Sequence, residues 1–567
     1  MNRRDFLKFI GMASGATVLS SCGIEKSTEK IIPRIIPPED PDYIPGEPMF
    51  RNSTCTECPA GCGTTVRIVD FNPIKLEGVE NHPLNDGALC VRGQSSLMRL
   101  YHPERLKTPL LRLASDGQTQ AMSEKGFRAI SWDEASQLII DKMQVSAEQG
   151  KRNTYLSGLT NSSLSQLIDE FCGSTNVERL TEYETFDYAN LREANRIVFG
   201  RDEIPAYKIE EADFLLTLGA DIIETFITPV NHAVQLKKAK ESHDFRWFHI
   251  EPHVSMTGFK ANRKMTIRPG GEIYLMVYLV NVIITNKLDK NSLPSSVKSR
   301  IPQVSDKEVV QNTGFSEADL EQITQALINS RNPLLIAGGV STAQSTGLET
   351  AVLAGQVQWM LGMTDTTIDF GQAQNLANLG TLLDVQQLSD SLSNNEIGVL
   401  FVTRSNPLAT VPGNLGLNDN FPNADFKVAF SDFVTETAAE CDLILPLSHS
   451  YESWGDVQPH KGLTNVIRPV IKPLYQTETE GDILIKLSQR YANRQSDRTY
   501  EQWLKEKWTA ELGQADMEKM IERGYHRTEM PPVSPNISAQ SINRFLNDAQ
   551  YDSAPSGAVL FALPSIR

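Results

Sequence analysis

Three cysteines crowded into eight residues, Cys55, Cys58 and Cys62 in a C-x2-C-x3-C pattern, with a fourth, Cys90, downstream, constrain the first domain of this chain more than any other signal. Two thiols two residues apart can grip one face of a tetrahedral metal site from a tight turn. The Pro59-Ala60-Gly61 step lets the chain bend back so that Cys62 joins them, and Cys90 closes the set from about one small β-unit away. Four thiolates suit a [4Fe–4S] cluster or a structural zinc ion. The usual zinc pattern has two matched C-x2-C pairs, so the spacing leans toward iron–sulfur and leaves zinc open. A pair of disulfides is a third reading, weakened because cysteines two residues apart pair badly.

Seven cysteines in 567 residues are too few for a disulfide scaffold, and a chain of this length builds large cores without one. Cys172 and Cys441 lie in apolar surroundings and read as buried small hydrophobes. A formal charge of −16 argues against a nucleic-acid groove, and no basic run with interleaved aromatics opposes that. No stretch of about twenty apolar residues follows the leader.

Asn2-Arg3-Arg4-Asp5-Phe6-Leu7-Lys8 is a twin-arginine export pattern, followed by a short apolar run from Phe9 to Leu19. Export in the folded state fits a metal centre loaded before translocation. Leu19-Ser20-Ser21-Cys22 resembles a lipobox, which makes Cys22 the expected lipidation site and residues 1–22 the signal. Residues 23–49 form a tether in which Pro33, Pro37, Pro38, Pro41, Pro45 and Pro48 favour extended conformations.

Val66-Arg67-Ile68-Val69 and Ile74-Lys75-Leu76-Glu77-Gly78 alternate like short strands around a turn at Asn72-Pro73, which predicts a small β-rich domain over residues 50–112. Ser131 is placed to cap a helix beginning at Trp132. Five apolar runs, starting at Phe214, Trp247, Leu334, Val399 and Leu443, read as buried parallel strands alternating with amphipathic helices. The pattern predicts doubly wound α/β units: a discontinuous domain over 113–160 and 330–490, a second over 161–329, and a helical tail over 491–567. No G-x-G-x-x-G opens a helix, so an ordinary dinucleotide fingerprint is absent.

Cys90-Val91-Arg92-Gly93, Tyr101-His102-Pro103-Glu104-Arg105-Leu106 and Ile130-Ser131-Trp132-Asp133-Glu134-Ala135 resemble the opening of the molybdopterin oxidoreductases of the DMSO-reductase superfamily. Gly219-Ala220-Asp221, Pro269-Gly270-Gly271-Glu272, Ser405-Asn406-Pro407 and Thr435-Glu436-Thr437-Ala438 through Asp442-Leu443-Ile444-Leu445-Pro446 follow in that family's order. Glu224-Thr225-Phe226 and Tyr451-Glu452-Ser453-Trp454-Gly455-Asp456 look most like the large iron–sulfur/molybdopterin-type subunit of alternative complex III. The resemblance implies a small β-rich [4Fe–4S] domain followed by two interleaved doubly wound α/β domains. It also implies that Cys55, Cys58, Cys62 and Cys90 carry the cluster and that Arg92 stands where relatives relay between cluster and pterin.

The departures carry equal weight. Relatives present a Cys, selenocysteine, Ser or Asp to molybdenum after a Gly-Thr-Asn-like segment, here Gly173-Ser174-Thr175-Asn176, yet Leu180-Thr181-Glu182-Tyr183-Glu184-Thr185-Phe186 holds no thiol. Gly455-Asp456-Val457-Gln458-Pro459-His460-Lys461-Gly462 lacks the amide and guanidinium that grip pterin in relatives. The β-barrel that closes relatives at the C-terminus is not expected after residue 490. These readings point to an exported electron-transfer subunit of a quinol-oxidising membrane complex, on the periplasmic face of the inner membrane, with a vacant molybdenum site and no catalytic residue. Expected partners are a ferredoxin-like iron–sulfur subunit, an integral membrane quinol-binding subunit and a c-type cytochrome. The alternatives are an active molybdenum-bis(molybdopterin guanine dinucleotide) enzyme such as a polysulfide or thiosulfate reductase, with Glu184 or Thr185 on the metal, and a scaffold whose thiols hold zinc.

Overall fold

Alternation of apolar and polar residues builds the first sheet. Val66, Ile68 and Leu76 turn inward and are buried, while Arg67 and Lys75 face water. The computed structural model describes residues 46–113, 126–242, 244–549 and 551, so the twin-arginine leader, Cys22 and most of the proline-rich tether lie outside the described residues. Strands β1 (Met49–Thr54), β2 (Gly63–Val69) and β3 (Asn72–Gly78) form an antiparallel sheet in that order. The β2–β3 turn falls at Asp70 and Phe71, both with positive φ, one step before the Asn72-Pro73 turn read from the sequence. Pro73 is tolerated inside β3 because that strand is an edge and the register shifts between Arg67 and Ile68 opposite it. Helix α1 (Val91–Leu100) then packs Leu97 and Leu100 with Val66, Ile68 and Leu76.

The chain next lays down β4 (Leu110–Arg112), β5 (Phe127–Ala129), β6 (Arg152–Ser157) and β7 (Val177–Arg179), with helices α2 (Trp132–Glu148) and α3 (Leu164–Thr175). Ser131 caps α2 by accepting the Glu134 N–H, as expected. After α4 (Ala189–Phe199), a short β8 (Ala206–Tyr207) precedes a second sheet of β9 (Phe214–Leu218), β10 (Arg246–Glu251), β11 (Arg263–Thr266) and β12 (Pro333–Ala337). Its order is β11-β10-β9-β12, all parallel. The helix Glu272–Thr285 is apolar around most of its circumference and is buried against this sheet's core. A short β13 (Ile368–Asp369) pairs with β8.

The chain then returns to the first unit with β14 (Ile397–Thr403), β15 (Phe426–Ser431) and β16 (Leu443–Pro446), completing a seven-stranded sheet of order β5-β4-β16-β15-β14-β6-β7. Its central strands are parallel, and β4 and β5 add an antiparallel edge. All five apolar runs are strands, divided between the two parallel sheets. Finally β17 (Gly455–Val457), β18 (Leu463–Ile467) and β19 (Tyr525–Arg527) form a small antiparallel sheet. The C-terminal stretch holds the helices Tyr500–Leu512 and Gln514–Arg523, broken at Gly513, and also supplies β19. Among the described residues beyond 490 no closed barrel forms, and no helix among the described residues is long and apolar enough to cross a membrane.

Candidate functional site

The loop between β1 and β2 carries three of the thiols. The Cys55 N–H donates to the Cys62 carbonyl at 2.9 Å and the Gly61 N–H to the Cys58 carbonyl at 3.3 Å, which folds the C-x2-C-x3-C stretch into a closed turn. Gly61 has φ +57°, and a Cβ there would sit 2.6 Å from Val457 Cγ1, so the turn and its neighbour both require glycine. Cys90 immediately precedes α1 and its carbonyl accepts the Gln94 N–H. Asn85 fastens the two halves together: its amide donates to the Gly63 and Ala88 carbonyls, and its oxygen accepts the Gly63 N–H at 3.0 Å. From β18, Asn465 donates to the Gly61 carbonyl at 2.7 Å and accepts from His82, whose Nδ1 is occupied by the Leu84 N–H. Burial lowers His82 to about 4, so its imidazole is neutral. His82, Asn85 and Asn465 escaped the sequence reading, although the polar run Asn81-His82-Pro83-Leu84-Asn85-Asp86-Gly87 between the thiols was a signal for a built loop.

All four thiols share one apolar cluster with Ala60, Leu84, Val230 and Leu463. Cys55 and Cys62 are buried, whereas Cys58 and Cys90 are partly exposed. Desolvation pushes the thiols of Cys55, Cys58 and Cys62 up from their ordinary value, and their mutual repulsion adds to it, while Arg92 favours the thiolate of Cys58. Four thiols gathered out of water with one guanidinium beside them need a polycation to ionise together. Among the described residues no three Cys, His, Asp or Glu side chains converge so as to hold a single metal ion. Four thiols gathered in one apolar neighbourhood are the donor set that a [4Fe–4S] cluster takes. Cys172 on α3 and Cys441 before β16 sit in separate cores.

On the Cys58 side a cleft of about 480 Å³ opens between this loop and the carboxyl ends of β14 and β15, where α/β sheets place their ligands. Its two arginines are already paired. Arg99 Nη1 contacts Glu57 at 2.9 Å and Nη2 contacts Asp432 at 2.6 Å, bridging the two sides. Arg404 Nε pairs with Glu480 at 2.7 Å, and Glu480 also accepts from Tyr155 and Thr403. Asp456, buried at the cleft wall, accepts from the Ser163 N–H and hydroxyl and from Trp508 Nε1. The segment expected to face molybdenum is equally engaged: Glu182 accepts from Thr160 and Arg179, while Thr185 is exposed. Glu184 lies where the cleft meets a second cavity of about 170 Å³. Burial raises its carboxyl above the ordinary value, against the opposing pull of the Thr185 N–H and Arg92.

The motifs singled out in sequence meet in space. Asn406 donates to Glu436 at 2.6 Å and accepts from the Thr437 N–H and hydroxyl, which joins Ser405-Asn406-Pro407 to Thr435-Glu436-Thr437. Gly219, at the end of β9, has φ +65°, and a Cβ there would collide with Ser341, so the two loops at the carboxyl ends of β9 and β12 touch only because it is glycine.

The family model for the molybdopterin oxidoreductase Fe4S4 domain matches residues 49–102, and that for molybdopterin oxidoreductase matches residues 105–490. The menaquinone reductase, molybdopterin-binding-like subunit, of Nitratidesulfovibrio vulgaris is 27% identical over 565 residues, covering 95% of this chain and 78% of the relative. The probable oxidoreductase YyaE of Bacillus subtilis is 24% identical over 441 residues, 71% of this chain and 62% of its own length. The thiosulfate reductase molybdopterin-containing subunit PhsA of Salmonella typhimurium is 22% identical, covering 56% of this chain and 40% of that protein. In three dimensions the chain resembles acetylene hydratase from Pelobacter acetylenicus with a TM-score of 0.69 at 15% identity, over 85% of this chain and 74% of that one.

Proposed function

Because the chain belongs to the molybdopterin oxidoreductase family and carries its [4Fe–4S] domain, we propose that it is the exported electron-transfer subunit of a quinol-oxidising respiratory complex, with a vacant molybdenum site. Cys55, Cys58, Cys62 and Cys90 hold the cluster, which when bound supplies one-electron storage tuned by nearby charge and hydrogen bonds. The chain's own residues set that environment. Asn85 and Asn465 hold the ligand loops rigid, the buried wall around Cys55 and Cys62 excludes water, and Arg92 offsets the negative charge at Cys58. The likeness to a menaquinone reductase subunit supports the quinone context, and the twin-arginine pattern at Arg3 and Arg4 supports export.

The observation that carries the vacancy is the pairing inside the cleft. A molybdenum-bis(molybdopterin guanine dinucleotide) group brings several phosphates and needs free cations and a metal-binding side chain. Arg99 and Arg404 are tied to Glu57, Asp432 and Glu480, and residues 180–186 offer no thiol. The residues present do not fit that group. Glu184 is the one feature that favours the rival reading of an active molybdenum enzyme, since it lines both cavities. Metal analysis of the protein taken from its own membrane separates the two. About four iron atoms and no molybdenum per chain are expected; about one molybdenum per chain overturns the proposal.

A further inference from the structure

Three side chains in register across the small sheet of β17, β18 and β19 lie against the thiol loops. Val457, Asn465 and Tyr525 are cross-strand partners, one on each strand, and so share one face. Val457 closes on Gly61, Asn465 donates to the Gly61 carbonyl, and Tyr525 meets the His82 ring edge-on at 4.7 Å. His82 also packs on Gly63, where a Cβ would sit 2.6 Å from the ring.

The hydrogen bonds along this row have one direction. His82 Nδ1 accepts the Leu84 N–H at 3.2 Å, so that nitrogen carries no proton and Nε2 does. Nε2–H donates to Asn465 Oδ1 at 3.1 Å, which turns Nδ2 of the asparagine onto the Gly61 carbonyl at 2.7 Å. Asn465 is wholly buried and His82 is 2% exposed, so water offers neither of them another partner.

A carbonyl held in this way fixes an N–H. The peptide unit is planar and trans, so a side chain that grips the Gly61 C=O on one side points the Cys62 N–H to the other. That N–H lies against the Cys62 sulfur and favours the thiolate. The same arrangement occurs a second time in the loop. Asn161, between β6 and α3, donates to the Pro59 carbonyl at 3.1 Å, and the N–H of the same peptide, that of Ala60, is hydrogen-bonded to the Cys58 sulfur. Two asparagines from outside the small domain thus each grip the carbonyl end of a peptide whose amide end faces a cysteine sulfur. Hydrogen bonds to the sulfurs of a cluster stabilise its reduced, more negative state.

Resting on the cluster reading above, we propose that Asn465 and Asn161 are positioning residues that raise the reduction potential of the cluster by holding the Cys62 and Ala60 amides on the sulfurs, and that His82 acts through Asn465.

Redox titration of the full cluster-loaded chain, followed by electron paramagnetic resonance of the reduced cluster, compares the wild type with Asn465→Leu, Asn161→Ala, His82→Leu, His82→Gln and Asn52→Ala. Asn52 supplies the control. It donates to the Arg523 carbonyl from β1, tying the small domain to the C-terminal stretch without touching a cysteine peptide. Asn465→Leu and Asn161→Ala are each expected to weaken the hold on the electron about tenfold, a fall of about 59 mV for a one-electron couple, and to alter the resonance of the reduced cluster. His82→Leu should follow Asn465→Leu, whereas His82→Gln, which keeps a donor facing Asn465, should recover the wild-type potential. Asn52→Ala should leave potential and resonance unchanged. Asn161 is partly exposed, so its variant carries the test should Asn465→Leu fail to fold. An intact cluster whose potential stays put in either folded asparagine variant overturns the proposal, as does an equal fall in Asn52→Ala. A wild type that holds zinc and lacks the visible sulfur-to-iron band overturns the cluster reading as well, so the two failures are told apart.

Discussion

Glu272 opens the helix Glu272–Thr285 with its carboxyl sealed from water. One oxygen accepts from Gln344 Nε2 at 2.8 Å and the other has no partner among the described residues. Burial raises it from the ordinary glutamate value of 4.5 to about 7. In the unfolded chain the group ionises near 4.5, so between these values the folded state holds a proton that the unfolded state has released. Stability therefore falls as pH rises through 4.5 to about 7, by up to about 3 kcal/mol once the group must be charged inside. Glu272→Gln removes that slope. Urea unfolding should find the variant equal to the wild type at the acid end of the window and more stable above it, and a wild type whose stability does not decline across the window would count against the buried, raised carboxyl. The same position shows what a motif conceals: Pro269-Gly270-Gly271-Glu272 was legible as a motif, but the setting of its carboxyl depends on Gln344, brought in from the loop after β12.

Elements buried on both faces were easiest to read, because a parallel strand covered by helices becomes a continuous apolar run. The runs at Phe214 and Val399 became β9 and β14 for that reason. Strands with mixed composition or distant partners were not legible: β6 carries Arg152, Asn153 and Thr154, and β19 pairs with β18 some sixty residues earlier in the chain. The thiols could be read because their spacing is local, whereas Asn465 reaches their loop only through that small sheet. One long-range tie between elements has a measurable cost. Arg105, just beyond α1, and Glu452, just before β17, form a fully buried two-pronged pair, with Nη2 to Oε2 at 2.6 Å and Nη1 to Oε1 at 3.1 Å. Arg105 also donates to the Leu100 carbonyl, and Glu452 accepts the His449 and Leu474 N–H groups. Glu452→Gln should destabilise the protein by about 3–5 kcal/mol, because the guanidinium keeps its charge without its counter-ion. Arg105→Met combined with Glu452→Leu should recover much of that loss. A double variant as unstable as Glu452→Gln would show that the hydrogen bonds to backbone, and not the stranded charge, set the cost.

Across the whole molecule, the cluster loop and the seven-stranded sheet face each other over the cleft, and the ionic tie between them there is made by Arg99, reaching Glu57 beside Cys58 on one side and Asp432 after β15 on the other. In sequence these three residues lie far apart and none stood out, so the bridge was invisible until the fold placed them. The guanidinium is 44% exposed, which limits its share of global stability to about 1 kcal/mol, since solvent and salt screen such pairs. Its effect should be local. With Arg99 gone, Glu57 and Asp432 repel across the opening, and the loop carrying three of the thiols loses a brace while its cores remain intact. Arg99→Ala is therefore expected to leave the melting temperature almost unchanged, yet to speed hydrogen exchange of the amides in residues 55–62 and to hasten iron loss to a chelator. High salt should narrow the difference between variant and wild type by screening the repulsion between the two carboxylates. Exchange that rises equally throughout the protein would mean that Arg99 supports the fold as a whole, and unchanged exchange in 55–62 would mean that the loop is held without it, by Asn161 on the Pro59 carbonyl and Asn465 on the Gly61 carbonyl.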